Sequence, residues 1–178
     1  MGEDRPIRFF LTLAVALALP AVAFGMGGSD ASGLGVRPIA SGLQASGGGA
    51  PQSWLARSDE QLRESVAARI QGLALPPEPA QPAIDYGREV VVGVMIGQRP
   101  TGGYRVEVSK ARLDGSTLVV VVREIKPAPG EMTIQVLTSP WALVAVDLAG
   151  ATVDRVAAED ERGKALGTRD TVGGPATR

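Results

Sequence analysis

Residues 89–96 read EVVVGVMI, and this stretch decides the fold class of the chain. Its even-numbered positions are all valine or isoleucine, which places them on one face of a strand at period two. Val91 and Met95 make the other face apolar as well. A strand that is apolar on both faces is typical of the middle of a sheet, so we predict a central β-strand here.

Four further strands are predicted downstream, at 103–109 (GYRVEVS), 117–124 (TLVVVVRE), 132–138 (MTIQVLT) and 141–148 (WALVAVDL). An Asp114-Gly115 turn joins the first two of these as a hairpin. Five short strands without helices between them predict a mainly β fold, a small antiparallel β-sandwich or barrel-like domain over residues 84–149. We favour the sandwich.

One helix is predicted upstream of the sheet, within a segment 54–83 that ends in a proline-rich connector. Ser58 and Gln61 have capping-box spacing, and Leu62, Val66 and Ile70 recur every four residues, which predicts a helix over 59–71. Its apolar stripe covers an open face of the sheet in the interpretation that we favour. The alternative is a surface for a partner or a membrane.

The amino terminus has the pattern of a signal peptide at 1–23. Arg5 and Arg8 precede an apolar stretch at 9–23, which ends in small residues suited to cleavage after Ala23. The stretch is interrupted by Pro20 and is shorter than the roughly 20 residues of a membrane-spanning helix. We therefore expect a periplasmic or extracellular protein without further membrane contact, and keep an uncleaved anchor as the alternative.

Two segments are too poor in large apolar side chains to predict packed structure. Residues 24–53 are dense in glycine and serine, which predicts a flexible linker with a short extended piece around 35–39. Residues 150–178 are polar and carry charges of both signs, which predicts a disordered tail.

Composition argues against several function classes. The chain has no cysteine and no histidine, which excludes Ser–His and Cys–His hydrolases and most transition-metal sites. Its 18 basic and 19 acidic residues give a net charge of −1, which is unfavourable for nucleic-acid binding. We expect no catalytic residues, no cofactor and no metal, and hence a protein that is not an enzyme.

Four sequence pieces occur in a fixed order: Asp85-Tyr86, then GQRPTGGY at 97–104, then PAPG at 127–130, then TSPW at 138–141. Together they resemble the C-terminal domain family of the protease complex subunit PrcB, over residues 84–148. The resemblance implies an exported accessory domain that assembles with or stabilises a protease. The glycine-rich turn is also similar, more distantly, to that of chagasin-type protease inhibitors, whose other loop motifs are not matched here.

Two loops are the candidate protein-binding residues, because loops at one end of a rigid sheet are frequent recognition sites. They are the turn Arg99, Pro100, Thr101, Gly102, Gly103 and Tyr104, and the corner Thr138, Ser139, Pro140 and Trp141. We expect positive backbone angles at Gly102 and Gly103. Two alternatives stay open: the turn has only a structural role, and Trp141 only fills the core. The third functional alternative is an exported interaction module unrelated to proteases.

Overall fold

The computed structural model describes residues 33–45, 49–70 and 83–171, and gives only the backbone of 168–171. The predicted signal peptide at 1–23 and the proline-rich residues 71–82 lie outside the described residues. Within the described part, the secondary structure comprises β1 Val36–Gly42, β2 Gln52–Ala56, α1 Asp59–Arg69, β3 Glu89–Met95, β4 Arg105–Asp114, β5 Thr117–Ile125, β6 Trp141–Asp147, β7 Arg155–Asp160 and β8 Ala165–Thr171. The mainly β class with one short helix is confirmed.

The strands form two four-stranded sheets that pack as a sandwich. The first sheet has the order β1-β6-β3-β2 and the second β8-β7-β5-β4. Backbone pairing between the two sheets is limited to one residue pair at each margin, Gln52 with Thr168 and Leu34 with Ala111. Single pairs do not make a continuous ladder, so the fold is not a closed barrel.

The predicted central strand is confirmed. β3 lies between β6 and β2, and Val90 through Met95 are buried. The predicted hairpin is confirmed as well, since β4 and β5 pair up to Asp114 and Thr117, with Gly115 at a φ of 57°. A positive φ suits glycine because it has no Cβ.

One core lies between the two sheets. It is built from alternate residues of β3, β5, β6 and β7 with Val106 and Ala111 of β4, and its fully buried members include Val92, Leu118, Val120, Val146 and Val156. These side chains come from both sheets, so neither sheet buries its apolar face without the other.

A second core lies on the outer face of the first sheet, under α1. Leu62, Val66 and Ile70 pack with Val91 and Leu143 of the sheet, as the interpretation of the apolar stripe predicts. Ser58 is the N-cap, and its hydroxyl accepts a hydrogen bond from the Gln61 backbone N–H at 3.2 Å. The helix is two residues shorter than predicted and is followed by Ile70 in an extended conformation.

Several sequence-based boundaries are wrong. The described residues contain eight strands rather than five: β1 comes from the predicted linker at 24–53, β2 crosses from that linker into the predicted helical segment 54–83, and β7 and β8 come from the predicted tail at 150–178. Edge and short strands need few apolar residues of their own when the other sheet covers them. Residues 132–138, predicted to form a strand, form none.

The sheets are also not purely antiparallel. β5 and β7 pair in parallel over six residues, from Thr117 opposite Arg155 to Val122 opposite Asp160. The chain crosses to the first sheet as β6 between these strands, and such a crossover is what brings two strands into parallel. The one helix described is not long and apolar enough to span a bilayer.

Candidate functional site

The turn and the corner predicted from sequence lie side by side, because they continue one pair of strands. Met95 of β3 is opposite Trp141 of β6, and Ile96 N–H then donates to the Pro140 carbonyl at 3.2 Å. Arg99 and Thr138 exchange two backbone hydrogen bonds of 2.8 and 2.9 Å, and Gly102 N–H reaches Ile134 O at 2.9 Å. We call residues 96–102 and 134–140 together the arm; it extends the β3–β6 ladder past the strand ends.

Two polar side chains stabilise the arm from within. The Arg99 guanidinium forms an ion pair with Glu124 at the end of β5, with N–O distances of 2.6 and 3.2 Å. The Thr138 hydroxyl donates to the Thr101 carbonyl at 2.8 Å, and Thr138 is buried. Arg99 and Thr138 therefore have a structural role in this conformation.

Close packing accounts for the two glycines of the turn. A Cβ at Gly102 would lie 2.6 Å from Ile134 Cγ1, and a Cβ at Gly103 would lie 2.9 Å from Pro127 and Thr133. Gly103 has a φ of 82°, as expected, whereas Gly102 is not among the residues with positive φ. Gly102 is thus explained by close approach and not, as the sequence suggested, by its backbone angle.

The other predicted site residues differ in exposure. Pro100 is exposed, Thr101 and Tyr104 are half-buried, and Ser139, Pro140 and Trp141 are buried. Trp141 belongs to the core beneath α1, and a Cβ on Gly42 of β1 would lie 2.8 Å from its ring. The corner is therefore mostly interior, and the exposed surface of this end comes from elsewhere.

That surface is an apolar loop between β5 and β6. Its exposed side chains, which we call the apolar patch, are Met132 at 98% exposure, Ile134 at 62%, Val136 at 47% and Leu137 at 63%, together with Leu43 at 36% just past β1. The alternation of Met132, Ile134 and Val136 was the signal for the wrongly predicted strand, and its exposure was missed. An exposed cluster of large apolar side chains on a folded domain is typical of an interaction site.

A cleft opens beside the apolar patch. It is lined by residues 41–43, residues 103–106, Glu131 and Trp141, and has a volume of about 240 Å³. Tyr104 and Trp141 contribute aromatic surface, and Leu43 lies at once in the cleft lining and in the patch. This arrangement can accept an apolar side chain.

A second cavity of about 250 Å³ lies elsewhere, near the start of β3 and the end of β6, and its lining includes Arg57, Tyr86 and Leu148. The Tyr86 hydroxyl donates to Asp59 Oδ1 at 3.0 Å. Burial, followed by this bond and the Asp59 charge, raises the pKa of Tyr86. Among the described residues, no group of three or more acidic side chains could hold a metal ion.

Comparison with protein families supports the resemblance seen in the sequence. Residues 90–147, about a third of the chain, match the model of the family described as PrcB C-terminal. The match runs from β3 to β6 and includes the whole arm and the apolar patch except Leu43. Neither the curated proteins nor the solved structures give a match to the chain.

Proposed function

We propose that this protein is an exported, non-catalytic accessory domain, which binds an extracytoplasmic protease and assembles with it or stabilises it. The observation that carries the proposal is the apolar patch, four of whose five residues lie within the segment matched by the PrcB C-terminal family. The apolar patch supports the binding of a protein partner. The protease as partner rests on the family resemblance alone.

The chemistry of this end supports binding by apolar contact. Residues 132–146 carry no charged side chain, and Arg99 of the arm is paired with Glu124 within the domain; the charged side chains at this end are those of Arg105 and Glu131, which line the cleft. Burying Met132 and Leu137 against a partner would remove large apolar side chains from water, which is favourable by roughly 1.5–3 kcal/mol for each fully buried side chain. A partner with a complementary apolar surface is therefore expected.

Site-specific crosslinking tests the proposal. A photo-reactive amino acid at Met132, which projects from the surface, should capture a protein in the exported fraction of a native host. The same residue placed at Ala67, on the exposed face of α1, is the matched control. We expect a protease to be captured from position 132 and not from position 67.

The effect on the captured protease then separates the alternatives. An accessory domain lengthens the lifetime of the protease, measured as residual activity over time with and without the purified protein. A chagasin-type inhibitor instead lowers turnover at once and in proportion to its concentration. Capture of only non-protease proteins would contradict the protease assignment and leave an unrelated interaction module.

A further inference from the structure

The cavity of about 250 Å³ near the start of β3 is separate from the apolar patch and its cleft. Its walls come from three places: the end of β2, the start of β3, and the chain between β6 and β7. The lining residues are Arg57, residues 86–90, Leu148 and residues 150–153. Among them, Val90 alone lies in the segment 90–147 that the family model matches. A function of this cavity is therefore independent of the family resemblance.

Arg57 brings an unpaired positive charge to this cavity. Its Nε and Nη2 atoms are buried, and in the described part of the chain neither has a hydrogen-bond acceptor. The other charged side chains of the lining are paired, Arg88 with Asp147 at 3.0 Å and Glu89 with Arg37 at 2.8 Å. A buried donor of a charged group is destabilising when it has no acceptor. The cavity therefore favours an acceptor from outside the chain.

The two unpaired atoms indicate the kind of acceptor. Nε and Nη2 lie on the same edge of the planar guanidinium, and their N–H groups match the two oxygens of a carboxylate. Both atoms are closed to water in this conformation, so the guanidinium has to turn toward the cavity when a ligand enters. This turn breaks no hydrogen bond of either atom to the described part of the chain.

The remaining walls suit a short uncharged chain. Val90, Leu148 and Val153 are buried apolar residues of the lining. An apolar cavity of about 150 Å³ holds a molecule of the size of benzene, so this cavity has room for a carboxylate with a few carbon atoms. A single unpaired guanidinium compensates one negative charge. A ligand with a second charge would bury that charge without a partner, which is unfavourable.

We propose that this cavity binds a monocarboxylate with a short uncharged chain, and that Arg57 holds the carboxylate through two N–H···O hydrogen bonds. The carboxylate can belong to a free small acid or to the C-terminal residue of a peptide, because both present the same group. The inference goes beyond the proposed function and does not rest on it, since it concerns a different part of the surface.

Butyrate and butyramide are the first pair of probes, because they differ only in the charged group. NMR on the full chain follows the Nε–H signal of Arg57 and the backbone amides of residues 86–90 and 150–153 during titration. We expect butyrate to shift these signals and butyramide to bind at least about tenfold more weakly, because the paired charge is lost.

A second pair of probes separates the two sources of the carboxylate. It consists of a peptide that ends in valine with a free carboxyl group and the same peptide with an amidated end. Tighter binding of the free-acid peptide than of butyrate assigns the cavity to a protein terminus, and the reverse order assigns it to a small acid. In both cases the amidated form should bind at least about tenfold more weakly.

Variants test the site from the side of the protein. Arg57→Met removes the donors and keeps an unbranched side chain, whereas Ala151→Leu fills the cavity and keeps the guanidinium. Each should weaken butyrate binding at least about tenfold. Arg162→Gln is the matched control, because it removes the same charge from the exposed turn between β7 and β8 and should leave binding unchanged.

Melting temperatures without a carboxylate give a further readout. Arg57→Met should melt no lower than the natural chain, because the variant removes buried donors that have no acceptor. A clearly lower melting temperature would show that the guanidinium is satisfied within the folded protein, and would overturn the inference. If Ala151→Leu does not fold, Arg57→Met alone decides the binding test.

Four binding results would also overturn the inference. They are no binding of butyrate, equal binding of butyrate and butyramide, equal affinity for inorganic phosphate, and butyrate shifts that persist in Arg57→Met. Equal affinity for phosphate would indicate a site for any small anion. Crosslinking at Met132 reports on the apolar patch, so its failure would refute the proposed function and leave the carboxylate site standing.

Discussion

At the scale of single residues, several glycines lie where the surrounding atoms leave no room for a side chain, and Gly93 is a clear example. A Cβ on Gly93 would lie 2.1 Å from the Trp54 ring, so β3 can pass beneath the tryptophan only without a side chain at this position. The predicted central strand EVVVGVMI therefore contains a glycine where it faces Trp54, which lies opposite Gly93 in the neighbouring strand β2. The sequence shows the glycine but not the ring above it.

Gly93→Ala should therefore lower the free energy of unfolding by about 3 kcal/mol, the upper part of the range for overpacking a core. Urea unfolding followed by tryptophan fluorescence measures the change. Gly35→Ala is the control, since its Cβ would make an ordinary contact at 3.7 Å with Asp147. Equal stabilities of the two variants would contradict the packing of Trp54 on Gly93.

Arg99 is the residue at which the sequence-based site and the structure differ most. The sequence predicted a protein-binding residue, whereas the Arg99 side chain is 24% exposed and is paired with Glu124, which is 29% exposed. A half-buried pair of this geometry has a larger net effect than a surface pair, since water screens it less.

A double-mutant cycle with Arg99→Met and Glu124→Gln should give a coupling energy of about 1 kcal/mol in unfolding experiments. Arg123 and Glu161 provide the matched surface pair, at 2.9 Å with 51% and 52% exposure, and their coupling should be near zero. If the two cycles agree within error, Arg99 has no special role in stabilising the arm.

At the scale of elements, the strands predicted correctly are those whose own sequence is apolar enough to require burial. β3, β5 and β6 are apolar on both faces; β3 and β6 are buried along most of their length, and β5 is buried from Leu118 to Val120 and at Val122. β1 and β7 were missed, because β1 contains glycine, serine and proline, and β7 has three charged residues and two alanines among its six. Their pairing partners, not their own side chains, place them in the sheets.

The wrongly predicted strand at 132–138 shows the reverse error. Its alternation has the period of a strand, but in the described part of the chain its backbone hydrogen-bonds to other backbone groups only at Arg99 and Gly102, and its large apolar side chains are exposed. The turn at 99–104 and the corner at 138–141 were predictable from their motifs. The structure places them side by side, as the backbone hydrogen bonds between Arg99 and Thr138 show. The apolar patch and cleft were not predictable, since both depend on where β1 ends.

Tyr86 connects two elements, the start of β3 and the start of α1, through its bond to Asp59. Since its pKa is raised in the folded state, the unfolded chain ionises first, near the ordinary tyrosine value of about 10. The contribution of this group to stability is therefore fully present below about pH 10 and is lost as the pH rises toward the higher folded-state pKa.

Tyr86→Phe tests this link. At pH 7 the variant should be less stable than the natural chain by about 1 kcal/mol, the usual net effect of one hydrogen bond. The difference should shrink between about pH 10 and pH 11, as ionisation destabilises only the natural chain. Urea unfolding across this pH range measures it, and a difference that is constant with pH would contradict the raised pKa.

At the scale of the whole molecule, the foldable unit is larger than the segment that carries the family motifs. Residues 90–147 supply β3 to β6, but these four strands belong to two different sheets. β7 lies between β5 and β8, and its Val156 is fully buried in the core between the sheets. Without β7, the core between the sheets loses some of its buried side chains. Without β2 and α1, the core beneath the helix loses most of its side chains on that side.

A chain of residues 33–171 should therefore fold cooperatively, and one of residues 84–149, the domain predicted from sequence, should not. The shorter chain lacks β2 and α1, which pack on Val91 and Leu143, and it lacks Val153, Val156 and Ala158, which belong to the core between the sheets. Two strand pairs from separate sheets cannot bury these side chains alone. Dispersed amide resonances and a single urea transition are expected for 33–171 and absent for 84–149. A cooperative transition in the shorter chain would contradict this prediction, because it would show that β3 to β6 fold without β1, β2, β7 and β8.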